Sequence, residues 1–397
     1  MLLSAAIIVR DEAEHLDACL QSLHGLVDEI VVVDTGSVDA SVDVARRHGA
    51  VLGHEPWQGD FATPRNRSLD LASGEWILYI DADERVRAGD NDERRRRIAE
   101  AGDHAAFRVL FVPRVGWTPY VEYRLWRHRP DVRFVGRMHE SIVPAIHAAA
   151  DREGQRIAVS DVVTIDHFGY EGDQQHKYAR DEPILLAALK EHPQRVYYYD
   201  HLARIYQALG RADEARAMWL RGIEIVRARG GTEADDRLLW VNLITHAFDR
   251  GELEGELEGL VAEALDRFPG LPALELAAAR VEFVAGEPLA ALRRLEWITS
   301  LSLAEVVATG STYDERVLGE WAWNLLGLCH FALGDWKDSA RAFARAVEAA
   351  PAGPDYAVRR RLAEARAGAG DCAAGRRGGA AKGATAPSDR VCAASRR

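Results

Sequence analysis

The sequence lacks the glycine-rich motifs of the commonest nucleotide-binding folds. No Gly-x-Gly-x-x-Gly follows the first predicted strand, and no Gly-x-x-x-x-Gly-Lys-[Ser/Thr] occurs in the 397 residues. Such loops bind phosphate through their backbone N–H groups. Their absence disfavours a dinucleotide-binding domain and a P-loop NTPase, so any phosphate ligand would have to be held by side chains and a metal.

Cysteine is scarce, and long apolar runs are missing. The four cysteines form no Cys-x-x-Cys pair and have no metal-ligand spacing; they are Cys19, Cys329, Cys372 and Cys392. This usage predicts reduced thiols in a cytoplasmic protein. No stretch is long enough to span a membrane, and the apolar segment 1–9 lacks the basic start of a signal peptide. The net charge of -12 argues against attraction to nucleic acid or to an anionic membrane.

Short apolar runs alternate with helical patterns in the first 80 residues. Strands are predicted at 3–9, 29–33, 50–53 and 76–80, and helices at 11–25, 38–48 and 61–72. This alternation predicts an α/β domain with a doubly wound, mostly parallel sheet and right-handed crossovers. The charge-rich stretch 84–104 is predicted to form a solvated helix.

The clearest candidate site follows the apolar run Trp76 to Ile80, where Asp81 and Asp83 end the strand. Ligands in parallel sheets bind just beyond the carboxyl ends of the strands. In an extended chain, residues i and i+2 point to the same side, so both carboxylates could face one hard cation. A solvated acidic turn is the alternative. Asp34 ends the second strand at the same edge; it could accept hydrogen bonds from a base or ribose, or simply close a turn.

Four segments in this order resemble the family 2 glycosyltransferases. They are Ala6-Ile7-Ile8-Val9-Arg10-Asp11-Glu12, Val33-Asp34-Thr35-Gly36-Ser37, Phe61-x-x-x-Arg65-Asn66 and Trp76-Ile77-Leu78-Tyr79-Ile80-Asp81-Ala82-Asp83-Glu84. The resemblance implies a GT-A, Rossmann-like fold, a UDP-hexose donor, inversion at the anomeric carbon, and Mn²⁺ or Mg²⁺ at the Asp-x-Asp (DxD) motif. Many relatives carry Asn where this chain has Asp11.

The same resemblance implies a separate role for each of these residues. Val9, Asp34, Arg65 and Asp81 would bind the nucleotide sugar, and Asp81 with Asp83 would hold the metal. The guanidinium of Arg65 suits phosphate oxygens. A salt bridge on the helix surface is the alternative for Arg65.

Two later segments also resemble the family: Gly136-Arg137-Met138-His139-Glu140, and Ile165-Asp166-His167-Phe168-Gly169-Tyr170. An inverting transfer needs a base for the acceptor proton. Glu140 is the candidate base, with His139 orienting it or contacting the donor phosphate. A helix start is the alternative for this pair, because Glu is favoured in a first turn. His167 would be a third metal ligand or a phosphate contact. The alternative for His167 is a purely structural histidine.

After Tyr170 the pattern becomes helical. The windows 199–227 and 323–351 resemble tetratricopeptide repeats, with weaker units near 238–269 and 273–300. Such repeats stack into an all-α solenoid whose concave face binds peptide or protein. Bracing of the catalytic domain or dimerisation is the alternative. The predicted domains are therefore 1–175 (transferase), 176–366 (helical repeats) and 367–397 (disordered tail).

The combination resembles bacterial enzymes that glycosylate bacteriocin peptides, and also bacterial transferases that act on cell-surface or lipid-linked glycans. The chain is therefore predicted to be a metal-dependent glycosyltransferase, with a peptide, protein or glycan as acceptor. Two alternatives are a tetratricopeptide scaffold with an inactive transferase domain and a nucleotidyltransferase. The acidic Asp11-Glu12 after the first strand disfavours the nucleotidyltransferase, which usually has a basic glycine-rich loop there.

Overall fold

A computed structural model describes residues 1–169, 175–230, 232–233, 235–251, 256–309, 312–353 and 355–378. Among these residues, all extended strands precede the helical region. The strands are β1 (Leu3–Val9), β2 (Glu29–Asp34), β3 (Val51–His54), β4 (Trp76–Tyr79), β5 (Glu84–Val86), β6 (His104–Pro113), β7 (Tyr120–Arg127) and β8 (Arg156–His167). The helices among them are α1 (Ala13–Leu23), α2 (Ser41–Arg47), α3 (Ala62–Leu71), α4 (Asn91–Ala99) and α5 (Val143–Glu153).

The strands form one mixed sheet in the order β3-β2-β1-β4-β7-β6-β8-β5. The first four are parallel neighbours, as the β-α alternation predicts. Strand β7 then joins β4 in the antiparallel direction, with Ile77 opposite Trp126. The prediction of an α/β domain with a mostly parallel sheet is confirmed. The carboxyl ends of β1, β2 and β4 meet at one edge, which is where the predicted site residues lie.

Strands β1, β2 and β4 are buried because their apolar side chains face helices on both sides of the sheet. Leu3, Ile7 and Trp76 belong to the core on one face, and Val31 and Ile77 belong to the core on the other. The edge of the sheet that carries the site is thus fixed by two packed layers.

The stretch 84–104 differs from the predicted single helix. Glu84–Val86 form the short edge strand β5, paired with β8, and helix α4 begins only at Asn91. The side chain of Asp90 accepts the N–H of Glu93 at 3.0 Å and caps this helix. A three-residue strand with two charged side chains has no apolar run, so its partner strand, not its own pattern, determines it.

The helical region begins at Gln175. Its helices are α6 (Gln175–Glu191), α7 (Val196–Ala208), α8 (Ala212–Arg229), α9 (Asp236–Asp249), α10 (Glu256–Arg267), α11 (Pro272–Val284), α12 (Pro288–Ser300), α13 (Leu303–Ala308), α14 (Glu320–Leu333), α15 (Trp336–Ala349) and α16 (Tyr356–Gly378). The pairs α7/α8, α9/α10, α11/α12 and α14/α15 coincide with the four windows predicted as helix pairs.

Close packing within these pairs depends on small residues. A Cβ on Gly327 of α14 would lie 2.6 Å from the ring of Phe343 on α15. Between α7 and α8, the indole N–H of Trp219 donates to Asp200 at 2.9 Å, and both residues are buried. The first contact shows why a glycine stands at this position of the α14/α15 pair, and the second gives the buried indole of the α7/α8 pair a hydrogen-bond partner.

Backbone contacts divide the chain into two compact units. One contains Met1–Ala278 and Ser300–Glu315, and the other contains Ala279–Thr299 and the chain after Arg316. The predicted limits at residues 175 and 366 stay a prediction. Helix α16 continues to Gly378, past the predicted start of the tail at residue 367, because its alanines and arginines favour helix. Residues 379–397 of that tail lie outside the described part. Among the described residues, no helix is long and apolar enough to cross a membrane.

Candidate active site

Two cavities in the first unit meet at the carboxyl edge of the sheet. The strand-end cavity, about 550 Å³, is lined by residues that include Val9, Thr35, Trp57, Asp83 and Lys177. The loop cavity, about 590 Å³, is lined by residues that include Tyr79, Tyr123, His139, Glu140 and Asp235. Both cavities are also lined by Phe61, Arg65, Asp81, His167 and Arg180. All of the predicted site residues except Asp34 therefore line one divided space.

Val9 and Asp34 occupy neighbouring strand ends. Val9 lines the strand-end cavity, and Asp34 lies opposite it in the sheet register. The carboxylate of Asp34 accepts the N–H groups of Ser37 at 2.9 Å and of Gly36 at 3.2 Å. Closing this turn is the structural role that the sequence left open for Asp34, and its contact with a nucleotide stays a prediction.

Asp81 and Asp83 do not project from an extended chain as predicted. Strand β4 ends at Tyr79, and the chain turns at Ala82 and Asp83. The Asp81 carboxylate accepts Arg65 Nη1 at 2.8 Å and the Tyr79 hydroxyl at 3.1 Å. Although burial raises the pKa of Asp81, Arg65 and Arg124 outweigh it and lower that pKa to about 2. The two carboxylates thus have different partners.

Asp83 belongs to a separate cluster with His167 and Glu84. One ligand atom of each lies within 4.8 Å of the others. His167 Nε2 is 3.5 Å from Asp83 Oδ2, and a Cβ on Gly169 would lie only 1.8 Å from that oxygen. Two carboxylates and an imidazole suit Mn²⁺ or Mg²⁺, and only glycine leaves room beside them. The residues present therefore fit a divalent cation at Asp83 and His167.

The charge balance of this cluster also suits a cation. Burial raises the pKa of Glu84 to about 8. The positive charge of Arg124 opposes this rise, and the negative charges of Asp81 and Asp83 add to it. Arg124 Nη2 donates to Glu84 Oε1 at 2.8 Å, and both side chains are buried. Burial lowers the pKa of His167, but Asp83 outweighs it and raises that pKa overall. Divalent cations compete with protons for ligands of this kind.

Arg65 is buried, so the predicted alternative of a surface salt bridge is wrong. Its side chain is 9% exposed and lies between the carboxylates of Asp81 and Glu140, donating to both. The guanidinium also stacks on Tyr79, 4.4 Å from the ring centre. Arg65 faces both cavities and joins the two groups of predicted site residues.

His139 and Glu140 lie in a loop before α5, not in a helix, because that helix starts at Val143. The Glu140 side chain is 8% exposed and lines the loop cavity. Burial raises the pKa of Glu140 despite the opposing charge of Arg65. A carboxylate whose pKa is raised toward neutral is a stronger proton acceptor, which suits a general base.

Comparison with known proteins gives a family for the sheet that builds these cavities. Residues 4–143 match the model of glycosyl transferase family 2. This segment includes the ends of β1, β2 and β4 and the loop up to Glu140, whereas His167 at the end of β8 lies beyond it. Over residues 4–143 the chain is thus similar to the family 2 glycosyl transferases. Residues 321–352 match the tetratricopeptide repeat model and contain the α14/α15 pair. Both predicted resemblances are confirmed.

Curated relatives match parts of the chain. A TPR repeat-containing protein of Synechococcus elongatus is 35% identical over 224 residues, which are 55% of this chain and 55% of the relative. The glycosyltransferase SunS of Bacillus subtilis is 29% identical over 150 residues, 35% of this chain and 34% of SunS. The chain thus spans about half or less of the length of these relatives. The glycosyltransferase relatives support the prediction of a glycosyltransferase.

Solved structures give a weaker likeness. Glucosyl-3-phosphoglycerate synthase of Mycobacterium tuberculosis, in complex with Mn²⁺, UDP and glucosyl-3-phosphoglycerate, is 15% identical with a TM-score of 0.36. The likeness covers 48% of this chain and 79% of that one. At this TM-score it says nothing about the substrates of this family 2 domain.

Several residues of the site were not predicted from sequence. Glu84 joins Asp83 and His167, Lys177 Nζ lies 3.9 Å from Asp83 Oδ2, and Arg180 lines both cavities. Glu84 follows the Asp-x-Asp motif directly, so the motif could have suggested it. Lys177 and Arg180 belong to α6, and no pattern in a helix outside the family 2 domain marks them.

Proposed function

We propose that the chain is an inverting, metal-dependent glycosyltransferase that moves a hexose from a UDP-sugar to a polypeptide side chain. The observation that carries the proposal is the pair of cavities that share Arg65, Asp81 and His167. Candidate metal ligands lie on one side, and a buried carboxylate lies on the other. Transfer between two substrates needs such adjoining sites, with the reacting atoms held about 3–3.5 Å apart.

The strand-end cavity would hold the nucleotide sugar. Val9 and Asp34 lie where the base and ribose would bind, and Arg65 and Asp81 lie at the inner end. Asp83 and His167 would hold Mn²⁺ or Mg²⁺, which supplies a Lewis acid for the departing diphosphate when bound. Lys177 and Arg180 add positive charge at the same place.

The loop cavity would hold the acceptor. Glu140 takes the proton of the acceptor nucleophile as that atom forms its bond to the anomeric carbon, and the bond from that carbon to the diphosphate oxygen breaks. His139, the preceding residue, orients Glu140. A polypeptide acceptor is supported by the tetratricopeptide repeat, because such repeats present extended surfaces for peptides.

A ligand panel tests the donor side. We expect UDP or a UDP-hexose to raise the melting temperature only when Mn²⁺ or Mg²⁺ is present, since a ligand that binds the folded state stabilises it. Asp83→Ala should abolish the shift, and Asp92→Ala, at an exposed position on α4, should keep it. The absence of any shift with any nucleotide would favour a scaffold with an inactive transferase domain.

Radiolabelled UDP-hexose tests the acceptor side. We expect label on a peptide mixture rich in Ser and Cys, and we expect Glu140→Gln to abolish it with the metal-dependent shift unchanged. Label on oligosaccharides alone would instead identify a glycan acceptor. Normal transfer by Glu140→Gln would refute the assignment of the base.

A further inference from the structure

The loop that carries Glu140 is held by a helix outside the family 2 domain. Arg195, just before α7, donates from Nη2 to the backbone oxygen of His139 at 2.8 Å. His139 Nε2 lies 3.0 Å from Nδ1 of His201, in the middle of α7. The ring of Tyr197 packs edge-on against His139 with centroids 4.6 Å apart. Three residues of one helical segment therefore contact the residue next to the candidate base.

His139 needs such support because its backbone is strained. Its φ is +49°, in the left-handed region that a non-glycine residue rarely adopts. Such a conformation persists only when the surroundings impose it. On its other side the loop is closed by a hydrogen bond: the N–H of Ser141 donates to the backbone oxygen of Val135 at 2.9 Å. The conformation of His139 sets the direction in which the chain enters Glu140.

The direction of the histidine–histidine hydrogen bond follows from a third residue. Arg204 Nη2 lies 3.1 Å from Nδ1 of His201. A guanidinium can only donate, so this nitrogen of His201 is an acceptor. His139 then donates through a protonated Nε2, so that the single lone pair of His201 Nδ1 is shared by the two donors. Burial, with Arg204 and Arg195, lowers the pKa of His139 to about 3, and burial lowers the pKa of His201. Both rings are therefore neutral near pH 7, and the hydrogen bond is kept.

We propose that His201 is a positioning residue for catalysis. Through its acceptor nitrogen it fixes His139, and through His139 it holds Glu140 in the loop cavity. Helix α7 is thereby part of the catalytic apparatus and not only a repeat beside it. The proposal rests on the proposed function, because it assigns a partner to the proposed base.

Three variants test it in the full-length protein with Mn²⁺. His201→Ala removes the acceptor, and His201→Asn places an amide oxygen near the position of Nδ1. Trp240→Phe is the structural control, because it shrinks a fully buried side chain of α9 that packs against Phe268. The assay is release of UDP from UDP-glucose, with water as acceptor, together with the melting temperature of each variant.

We expect His201→Ala to lower kcat by about 10²-fold, the typical cost of a misplaced catalytic group, with KM for UDP-glucose unchanged. His201→Asn should recover most of that loss. Trp240→Phe should lower the melting temperature and leave kcat near the wild-type value. A residue with a purely structural role would not lose more kcat than the control variant at the same loss of melting temperature.

Two results would overturn the proposal. If His201→Ala loses no more kcat than Trp240→Phe at an equal loss of melting temperature, the contact is only structural. If His201→Asn is as impaired as His201→Ala, the acceptor nitrogen has no role. A wild-type protein that releases no UDP and shows no metal-dependent nucleotide binding would instead refute the proposed function, and this proposal with it.

Discussion

Replacing Arg65 with methionine tests the centre of the site. Methionine keeps the length of the side chain but removes the charge and its hydrogen bonds. In the native protein the guanidinium donates to Asp81 and Glu140 and stacks on Tyr79. The variant leaves two carboxylates without their cation in a site where Glu140 is 8% exposed and Asp81 is 29% exposed.

The expected cost follows from this burial. Removing one partner of a buried ion pair costs about 3–5 kcal/mol, because the remaining charge is desolvated and uncompensated. At about 2–4 °C per kcal/mol for a large domain, the melting temperature should fall by roughly 10 °C at pH 7. An exposed control, Arg96→Met on α4, removes contacts with Glu93 and Glu100 and should leave the melt unchanged.

The loss should depend on pH with a defined sign. Without Arg65, the pKa values of Asp81 and Glu140 in the folded variant rise above their unfolded values. The stability deficit is then absent below the unfolded values, near pH 4, and grows as the pH rises through the raised ones. Thermal melts of wild type and Arg65→Met from pH 7 to pH 4 should therefore converge toward acid.

A double variant tests whether Arg65 is the cation shared by Asp81 and Glu140. Arg65→Met with Glu140→Gln has one buried charge fewer, so it should be more stable than Arg65→Met alone, with a coupling of about 0.5–3 kcal/mol. A cost below about 1 kcal/mol for Arg65→Met at pH 7 would show that the guanidinium is not required by the buried carboxylates. Strictly additive effects in the double variant would refute the shared-cation interpretation.

Three further changes have definite expected results. Gly169→Ala would place a Cβ 1.8 Å from Asp83 Oδ2, so it should lower Mn²⁺ affinity, measured by calorimetry, by at least about 10-fold. Gly327→Ala would place a Cβ 2.6 Å from the ring of Phe343 and should destabilise the repeat by about 1–3 kcal/mol in denaturant melts. Because the folded pKa of His201 is depressed, His201 favours unfolding as the pH falls below 6.5. The melting temperature of His201→Asn should therefore fall less between pH 7 and pH 5 than that of the wild type.

Controls keep these three results interpretable. Gly102→Ala meets no atom within 4 Å and should leave Mn²⁺ affinity unchanged. Retained affinity in Gly169→Ala would mean that Asp83 is not a ligand or moves freely. A neutral Gly327→Ala would show that α14 and α15 can separate without cost. Equal acid sensitivity of wild type and His201→Asn would show that His201 is not kept neutral by the fold.

The parallel half of the sheet could be predicted because each strand carries its own signal. Trp76–Tyr79 and Glu29–Asp34 are short apolar runs between helical patterns, and both appear where expected. Strand β8 has exposed and half-buried residues in its first half and no regular alternation, and β5 has only three residues. Their pairing is determined by contacts between residues about 80 positions apart, which no local pattern encodes.

The residues of the site likewise include some that the sequence predicts and some that only the folded structure reveals. Asp83, Glu140 and His167 were found because each lies in a short contiguous motif, although their chemical roles stay predictions. The burial of Arg65 could have been inferred, since it lies three residues after Ala62 and four before Leu69, on the buried face of α3. His201 could not, because its importance comes from a loop 62 residues earlier that only the folded chain brings near it.

The position of Arg65 between two cavities implies thermodynamic linkage between their occupants. One cation compensates a carboxylate on each side, so a ligand that changes the charge around Asp81 changes how strongly Arg65 holds Glu140. Such coupling is reciprocal: whatever one occupant does to the affinity of the other is returned by the same factor. We therefore expect each substrate to change the affinity of the other by the same factor, with the Arg65 guanidinium as the group that couples the two sites.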